Sequence, residues 1–165
     1  MRSILTHPDV RLRRMSNCVN AFDASLEALL KELELAMRAG PGGVGIAAPQ
    51  IGELKRAIVV DCRQARKSCR HHGLLHMANP EILHAEGEAL GREGCLSVPD
   101  WVGMVPRARM VRVRYQNLLG ESHTIESTGF EARVIQHEID HLNGILFINR
   151  VISIHDLLRR LPGEA

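Results

Sequence analysis

The sequence has few aromatic residues, little net charge and no long apolar run. One Trp, one Tyr and three Phe make up 3% of the chain, which leaves too few rings for a base-stacking platform. A formal net charge of +2 is too small to indicate a polyanionic partner. No segment approaches the ~18 consecutive apolar residues that a membrane helix needs. We therefore expect neither membrane insertion nor sequence-specific nucleic-acid binding.

Export signals are also lacking. The first residues carry charge early and do not contain the apolar core of a secretory signal. The four cysteines are not needed as cross-links, because a chain of 165 residues can bury a sufficient core. We therefore expect a cytoplasmic protein with reduced thiols, folded as one domain over 1–165, since ~100–200 residues per domain is usual.

Apolar periodicity predicts a helix over residues 23–39. Its buried stripe would consist of Leu26, Leu29, Leu30, Leu33 and Met37. Gly40 and Pro41 predict its end, with Gly40 in the left-handed conformation. A glycine-rich segment follows.

A second helix is predicted near the end of the chain. Thr128 and Glu131 match a capping box, in which each side chain satisfies a free backbone N–H. Asn143 and Gly144 predict the end of this helix. An amphipathic segment over 152–161 then predicts a short C-terminal helix.

Between the helices the chain has the patterns typical of strands. Residues 57–60 form a compact β-branched run, and 110–115 alternates apolar and polar residues. A turn over 117–120 predicts a hairpin with 122–125. Residues 62–73 are rich in Arg, Cys and His and predict an exposed loop. The order of elements indicates an α+β fold, with antiparallel sheets packed around a central helix.

The strongest chemical pattern is H-E-x-x-H, present as His137-Glu138-Ile139-Asp140-His141. At about 3.6 residues per turn, His137 and His141 lie on one helix face, where both imidazoles can bind one metal. Glu138 lies about 100° around the helix, where it can contact water without being a ligand. Two ordinary surface histidines are the alternative, but apolar flanks indicate a buried helix, and buried polar clusters need partners.

A catalytic site of this type usually has a third protein ligand and an open position. A metzincin would have its third His at the position of Phe147, which cannot ligate. The ligand is therefore expected upstream, and Cys95, next to a glycine and just before a Pro-containing turn, is the best candidate. Alone, Cys95 would be interpreted as a small buried apolar residue, and the incomplete ligand set favours ligation.

The glycine-rich segment permits two interpretations. Gly43, Gly45 and Ala48 match the dinucleotide fingerprint G-x-G-x-x-A, but that fingerprint opens a helix, whereas Pro49 ends this segment. Glycines also let a backbone lie close against an extended ligand, and Gln50 offers an amide donor.

Together, three segments resemble the signatures of the peptide deformylase family in order and approximate spacing: Gly43-Val44-Gly45-Ile46-Ala47-Ala48-Pro49-Gln50, Glu93-Gly94-Cys95-Leu96-Ser97 and Gln136-His137-Glu138-Ile139-Asp140-His141. The resemblance covers nearly the whole chain. Its departures are Ile46 for the usual Leu and Asn149 where Asp is common. It implies a metal-dependent hydrolase that removes the N-formyl group from formyl-methionine of newly made polypeptides and releases formate.

The resemblance also implies roles for individual residues. The metal ligands would be Cys95, His137 and His141. Glu138 would take a proton from the attacking water and return it to the leaving amine. The Leu96 backbone N–H and the Gln50 side chain would donate to the oxyanion.

The substrate peptide is expected to lie extended along residues 43–45 as an added strand. The methionine side chain would enter an apolar pocket formed by Val44, Phe130 and Val134, because the last two lie on the helix face of the histidines. The substrate-binding set therefore consists of Val44, Gly45, Gly94, Phe130 and Val134.

One divalent ion is expected as cofactor, since a mixed thiolate and imidazole set suits Zn²⁺, Fe²⁺ or Ni²⁺. The resemblance implies Fe²⁺ in the cell, with Zn²⁺ or Ni²⁺ in isolated protein. It also suggests that a C-terminal helix with Arg150, Arg159 and Arg160 touches the ribosome.

Two other functions stay open at this point. A zinc endopeptidase shares H-E-x-x-H but would cleave internal peptide bonds and would not use Cys95. A non-catalytic module would hold a structural metal with four ligands. The residues available for such a site are Cys69, His71, His72 and His76, whose spacing matches no established pattern.

Overall fold

A computed structural model describes residues 2–161. Within this range there are two α-helices, α1 (Ala24–Ala39) and α2 (Gly129–Leu142). The strands are β1 (Gly45–Ala47), β2 (Ala57–Asp61), β3 (Leu74–Glu86), β4 (Ala89–Cys95), β5 (Val98–Arg107), β6 (Met110–Gln116), β7 (Ser122–Thr128) and β8 (Leu157–Arg159). Short 3₁₀ turns occur at Val10–Arg13, Ala48–Ile51, Phe147–Asn149 and Ile154–Asp156. Neither described helix is long and apolar enough to cross a membrane.

The strands form two antiparallel sheets. A five-stranded sheet has the order β1-β2-β3-β6-β7, and a three-stranded sheet has the order β4-β5-β8. The predicted hairpin is confirmed as β6 and β7, which pair from Met110 with Thr128 to Gln116 with Ser122. The α+β fold with antiparallel sheets around a central helix is therefore confirmed.

Strand β2 is buried on both faces because a helix covers each of them. Ala57 and Val59 belong to the apolar cluster of α1, whereas Ile58 and Val60 belong to the cluster of α2. Strand side chains alternate between faces, so this fully apolar run fits between two helices.

The predicted helix over 23–39 and its end at Gly40 are confirmed, but the predicted left-handed conformation of Gly40 is wrong. The Asp23 side chain accepts hydrogen bonds from the backbone N–H groups of Ser25 and Leu26, which caps the first turn. Gly40 is extended, with φ −81° and ψ 147°, and is not left-handed. A Cβ atom on Gly40 would lie 2.7 Å from Leu96 Cδ2, so a larger residue would make the Leu96 side chain shift.

The capping box predicted for α2 is also wrong. Thr128 is the N-cap residue, but its side chain makes no capping hydrogen bond. The Glu131 carboxylate instead accepts from the backbone N–H of His72 at 2.6 Å and from Ser127 Oγ at 2.7 Å. The fully buried Glu131 carboxylate thus binds the backbone of a loop distant in the sequence and does not cap the first turn of its own helix.

The predicted C-terminal helix over 152–161 does not form. Residues 154–156 make a 3₁₀ turn, and β8 pairs with β5, with Val102 opposite Leu158. Ile152 and Ile154 are 75% and 78% exposed, so no apolar stripe is available to stabilise a helix. Isolated helices this short are marginal in water, and pairing with the edge of β5 satisfies the backbone instead.

Candidate metal centre

The three predicted metal ligands meet in the interior. Cys95 ends β4, and His137 and His141 lie one turn apart on α2. One ligand atom from each residue lies within 4.8 Å of the other two, and all three residues are buried. The Cys95 Sγ to His141 Nε2 distance is 3.3 Å, and the two histidine rings are 5.0 Å apart in an edge-to-face arrangement.

This donor set fits one divalent ion. Ligand atoms bound at about 2.0–2.3 Å from a single ion are at most ~4.6 Å apart, and the 3.3 Å between Cys95 Sγ and His141 Nε2 lies within this limit. A sulfur with two imidazole nitrogens suits Zn²⁺, Fe²⁺ or Ni²⁺. Three protein ligands leave a position for a reacting molecule, as in catalytic rather than structural sites.

Glu138 lies beside the ligands as a buried carboxylate with a free oxygen. The residue is 4% exposed, and its Oε2 atom has no hydrogen-bond partner within residues 2–161. Burial raises the pKa of Glu138 to about 7, against an opposing effect of His137. A carboxyl group with this pKa can both accept and release a proton near neutral pH.

Gly45 allows α2 to approach β1 at this point. A Cβ atom on Gly45 would lie 2.6 Å from Glu138 Oε1 and 2.7 Å from Val134 Cγ1. Any larger residue would therefore displace Glu138 or the helix. The sequence predicts that the glycine-rich segment lies close against an extended ligand. At Gly45 the close neighbour is instead helix α2 of the protein itself.

Gln50 presents its amide N–H group towards Cys95. Its Oε1 atom accepts from the Ala47 backbone N–H at 2.9 Å, which sets the orientation of the amide. Nε2 then lies 3.1 Å from Ser97 Oγ and 3.7 Å from Cys95 Sγ. The Ser97 backbone N–H also points at the Cys95 sulfur, at 3.4 Å. An amide donor therefore lies at the edge of the metal centre.

Glu93 orients His137 from behind. His137 Nδ1 lies 2.8 Å from Glu93 Oε1, which leaves Nε2 for a metal. Burial alone would raise the pKa of Glu93, but hydrogen bonds from His137 and Arg107 outweigh it and lower that pKa to about 2. Sequence reasoning assigned Glu93 no role, although residues two apart in a strand share a face, which places Glu93 on the side of Cys95.

The same carboxylate begins a buried ionic network. Arg107 binds Glu93 through two nitrogens and Asp140 Oδ2 at 2.5 Å. Asp140 also accepts from Arg150 at 2.8 and 3.0 Å. Arg133 Nη1 donates to Glu93 Oε2 at 2.8 Å. None of these contacts is visible in local sequence patterns, except that Asp140 lies one turn after the first histidine.

Phe147, which occupies the position of a third metzincin histidine, packs on the site instead of ligating. Its ring stacks on His137 with centroids 6.2 Å apart and an interplanar angle of 21°. The residue is 1% exposed. The aromatic ring thus limits the rotation of a metal ligand.

The predicted methionine pocket is brought together only in part. Val44 and Val134 pack in the same apolar cluster, where β1 meets α2. Phe130 lies on the first turn of α2, is 40% exposed and is not part of that cluster. It therefore lies at the rim.

Two predicted residues lie on the other side of the cleft. Leu96 occupies the turn between β4 and β5 and packs on Gly40. Gly94 is exposed, and a Cβ atom on it would lie 2.7 Å from Arg160 Nη2. The C-terminal segment thus reaches β4 next to Gly94, a contact that the sequence did not predict.

The histidine-rich segment does not form a second metal site among residues 2–161, where the ligand trio above is the one cluster with metal-site spacing. His72 Nδ1 lies 2.6 Å from Glu131 Oε1, and His76 Nε2 lies 3.2 Å from Glu34 Oε2. Both side chains are therefore engaged with carboxylates. The four-ligand structural site that remained open from the sequence finds no support.

Comparison with known proteins gives consistent matches over most of the chain. The sequence profile of the family described as polypeptide deformylase matches residues 1–156. Peptide deformylase from Wolinella succinogenes is 44% identical over 154 residues, covering 93% of this chain and 90% of that protein. The crystal structure of peptide deformylase from Thermotoga maritima matches with a TM-score of 0.85 at 36% identity, covering 93% and 99% of the two chains. A Met-Ala-Ser-bound class I type b peptide deformylase from Acinetobacter baumannii matches with a TM-score of 0.85 at 40% identity, covering 91% and 99%.

Proposed function

Because the chain belongs to the polypeptide deformylase family, we propose that its metal ion is held by Cys95, His137 and His141 and that Glu138 carries the proton in its reaction. The protein removes the N-formyl group from nascent polypeptides. One observation carries the assignment of the site: a sulfur from β4 and two imidazoles from α2 converge beside a buried carboxylate with a free oxygen.

Cys95, His137 and His141 would hold a divalent ion, which when bound would supply an activated water and polarise the formyl carbonyl. Glu138 accepts a proton from the attacking water and returns it to the leaving amine. The Gln50 amide and the Leu96 backbone N–H donate to the oxyanion of the tetrahedral intermediate. Glu93 holds His137 in the orientation that ligation requires.

The substrate binds as an extended strand along the outer edge of β1. This strand is the first in the order of the five-stranded sheet, so within residues 2–161 one of its edges has no neighbouring strand. An added peptide satisfies such an edge with backbone hydrogen bonds, with Gly45 on one side of the cleft and Gly94 on the other. Val44 and Val134 line the methionine pocket, and Phe130 closes its rim.

We also propose the finer properties that the resemblance implies. The ion is Fe²⁺ in the cell, and Zn²⁺ or Ni²⁺ replaces it in isolated protein, which metal analysis after anaerobic purification tests. The protein acts in the cytoplasm, as one domain over 1–165. A ribosome contact through the C-terminal segment would use the exposed Arg159, because Arg150 binds Asp140 and Arg160 lies against Gly94.

The proposed function is tested by formate release from formyl-Met-Ala-Ser. The metal-loaded protein should release stoichiometric formate and Met-Ala-Ser, and a chelator should abolish the activity until metal is restored. Cleavage of an internal bond in a longer unformylated peptide should be absent. Internal cleavage without formate release would instead support the zinc endopeptidase.

A further inference from the structure

Residues 62–73, here called the cationic loop, lie across the end of the proposed substrate cleft. The loop follows β2, and the preceding Asp61 donates its backbone N–H to the Val44 carbonyl at 2.8 Å. At its other end, His72 binds Glu131 on the first turn of α2. The loop therefore links Val44, immediately before β1, to the first turn of α2.

The underside of this loop belongs to the same apolar cluster as the methionine pocket. Cys62 is buried in the cluster, and Cys69 and Val44 pack against it. The Cys69 thiol also lies 4.0 Å from the Cys62 carbonyl oxygen. These contacts hold the backbone of the loop beside the pocket.

The outer side of the loop carries cations without ionic partners. Arg63 binds Asp61 at 2.7 Å. Arg66, Lys67 and Arg70 are exposed, and no carboxylate of residues 2–161 forms an ion pair with any of them. Three uncompensated charges within five residues create a local positive potential, although the whole chain has a net charge of only +2.

The direction of the peptide places a specific residue near these charges. Gln50 and Ala47 lie at the metal end of β1, so a peptide whose formyl group is at the metal leaves the cleft past Val44, towards the loop. Side chains two apart in a strand share a face, and each residue advances the chain by about 3.3 Å. The third residue of the substrate therefore points to the same side as its methionine, about 7 Å further along.

We propose that the cationic loop selects formyl-methionyl peptides with an acidic third residue. The proposal rests on the proposed function and adds a substrate preference to it. Arg66, Lys67 and Arg70 attract the substrate carboxylate from the solvent side, while the methionine pocket fixes the start of the peptide. The contact is exposed to solvent, so its effect is on KM and decreases with added salt.

The test compares four amidated tripeptides: formyl-Met-Ala-Asp, formyl-Met-Ala-Asn, formyl-Met-Asp-Ala and formyl-Met-Asn-Ala. At about 10 mM salt, kcat/KM should be about three- to tenfold higher for Asp than for Asn at the third position. The corresponding ratio at the second position should be close to one, because that side chain faces away. At about 1 M salt the third-position ratio should also approach one.

Two triple variants, each of which removes three positive charges, test whether the third-position preference comes from the cationic loop. The combination Arg66→Gln, Lys67→Gln and Arg70→Gln should remove the third-position preference while leaving turnover of formyl-Met-Ala-Asn unchanged. A control combination, Lys31→Gln, Arg112→Gln and Arg114→Gln, changes exposed residues of α1 and β6 that pair with local carboxylates. It should retain the preference.

A wild-type ratio of one, or a ratio that persists in the loop variant, would overturn the proposal. The proposal would also be overturned if the loop variant bound single-stranded RNA more weakly than the wild type but kept the same peptide preference, because the loop would then be a nucleic-acid-binding surface. Calorimetric binding of the unformylated Met-Ala-Asp and Met-Ala-Asn amides tests the charge preference of the cationic loop separately from the deformylation reaction. Charge-dependent binding without formate release would contradict the proposed function alone, and formate release without charge dependence would contradict the loop proposal alone.

Discussion

Helices α1 and α2 pack against β1 and β2 from opposite faces, but they bury different chemistry. The buried residues of α1 are all apolar. Helix α2 buries apolar residues as well, and in addition Glu131, His137, Glu138, Asp140 and His141. Apolar burial is sufficient to explain where a helix packs. Burial of ionisable groups needs partners, and on α2 those partners form the metal centre and the network behind it.

The ion pairs of the two helices differ in the same way. Lys31–Glu27 and Arg38–Glu34 on α1 lie at the surface, where such pairs contribute about 0–1 kcal/mol. The pairs that Arg107 makes with Glu93 and Asp140 have side chains less than 10% exposed. Removing one partner of a buried ionic network leaves the remaining charges less well compensated, which costs about 3–5 kcal/mol.

The largest effect is expected from Glu138→Gln on α2. Deformylation should fall by about 10²–10⁴-fold, because the carboxylate that accepts and returns the proton is lost. The metal content should remain that of the wild type, since Glu138 is not a ligand. The matched change on α1, Glu27→Gln, should leave kcat/KM unaltered. Near-normal turnover of Glu138→Gln would remove Glu138 from the mechanism.

The next effect concerns stability. Arg107→Met should lower the free energy of unfolding by about 3–5 kcal/mol, because Glu93 and Asp140 lose their shared cation. Lys31→Met on α1 breaks an exposed pair with Glu27 and should cost less than about 1 kcal/mol. Denaturant unfolding of the metal-loaded proteins measures both changes. Equal losses of unfolding free energy for the two variants would mean that the buried ion pairs stabilise the fold no more than the exposed pairs do.

Leu33→Ala on α1 separates stability from catalysis. Leu33 is fully buried, so its truncation should cost about 2–4 kcal/mol in the free energy of unfolding. The kcat/KM of the folded fraction and its metal content should stay at wild-type values, because α1 contributes no residue to the proposed centre. A specific activity reduced in proportion to the lost stability would show that the two helices are coupled.

The smallest effect is a pH dependence at the contact between α1 and β2. Hydrogen bonds from Arg63, against a smaller opposing effect of burial, hold the pKa of Asp61 well below its ordinary value of 3.8. A carboxyl group with a lowered pKa stabilises the folded state above the ordinary value and loses that contribution as the pH falls below it. Asp61→Asn should therefore cost about 1–2 kcal/mol at neutral pH.

Chemical unfolding at several pH values checks this expectation. The difference between wild type and Asp61→Asn should be constant from neutral pH down to about pH 4 and should shrink below that. A difference that persists undiminished at about pH 2 would show that the ionised form of Asp61 is not what stabilises the fold.

Features that depend on contacts between residues close in the sequence were predicted correctly, and features that depend on distant residues were not. Helix α1 and the β6–β7 hairpin depend on local periodicity and a short turn, and both were predictable. The ligand trio was predicted because H-E-x-x-H lies within one helix, and the missing third ligand, together with the resemblance, indicated Cys95. The capping box was not predictable, because Glu131 binds His72 across 59 residues.

The C-terminal segment shows the same limitation. Its amphipathic pattern over 152–161 suited a helix, but pairing with β5 decided its structure. The roles of Glu93, Arg107 and Asp140 also depend on contacts between β4, β5 and α2. These contacts exist only once the chain has folded, so no local pattern encodes them.

X-ray absorption spectroscopy of the zinc-loaded protein tests the central claim most directly. The account predicts one sulfur neighbour at about 2.3 Å and two imidazole nitrogens at about 2.0–2.1 Å, with the sulfur contribution absent in Cys95→Ala. A first shell of nitrogen and oxygen atoms alone in the wild-type protein would contradict it.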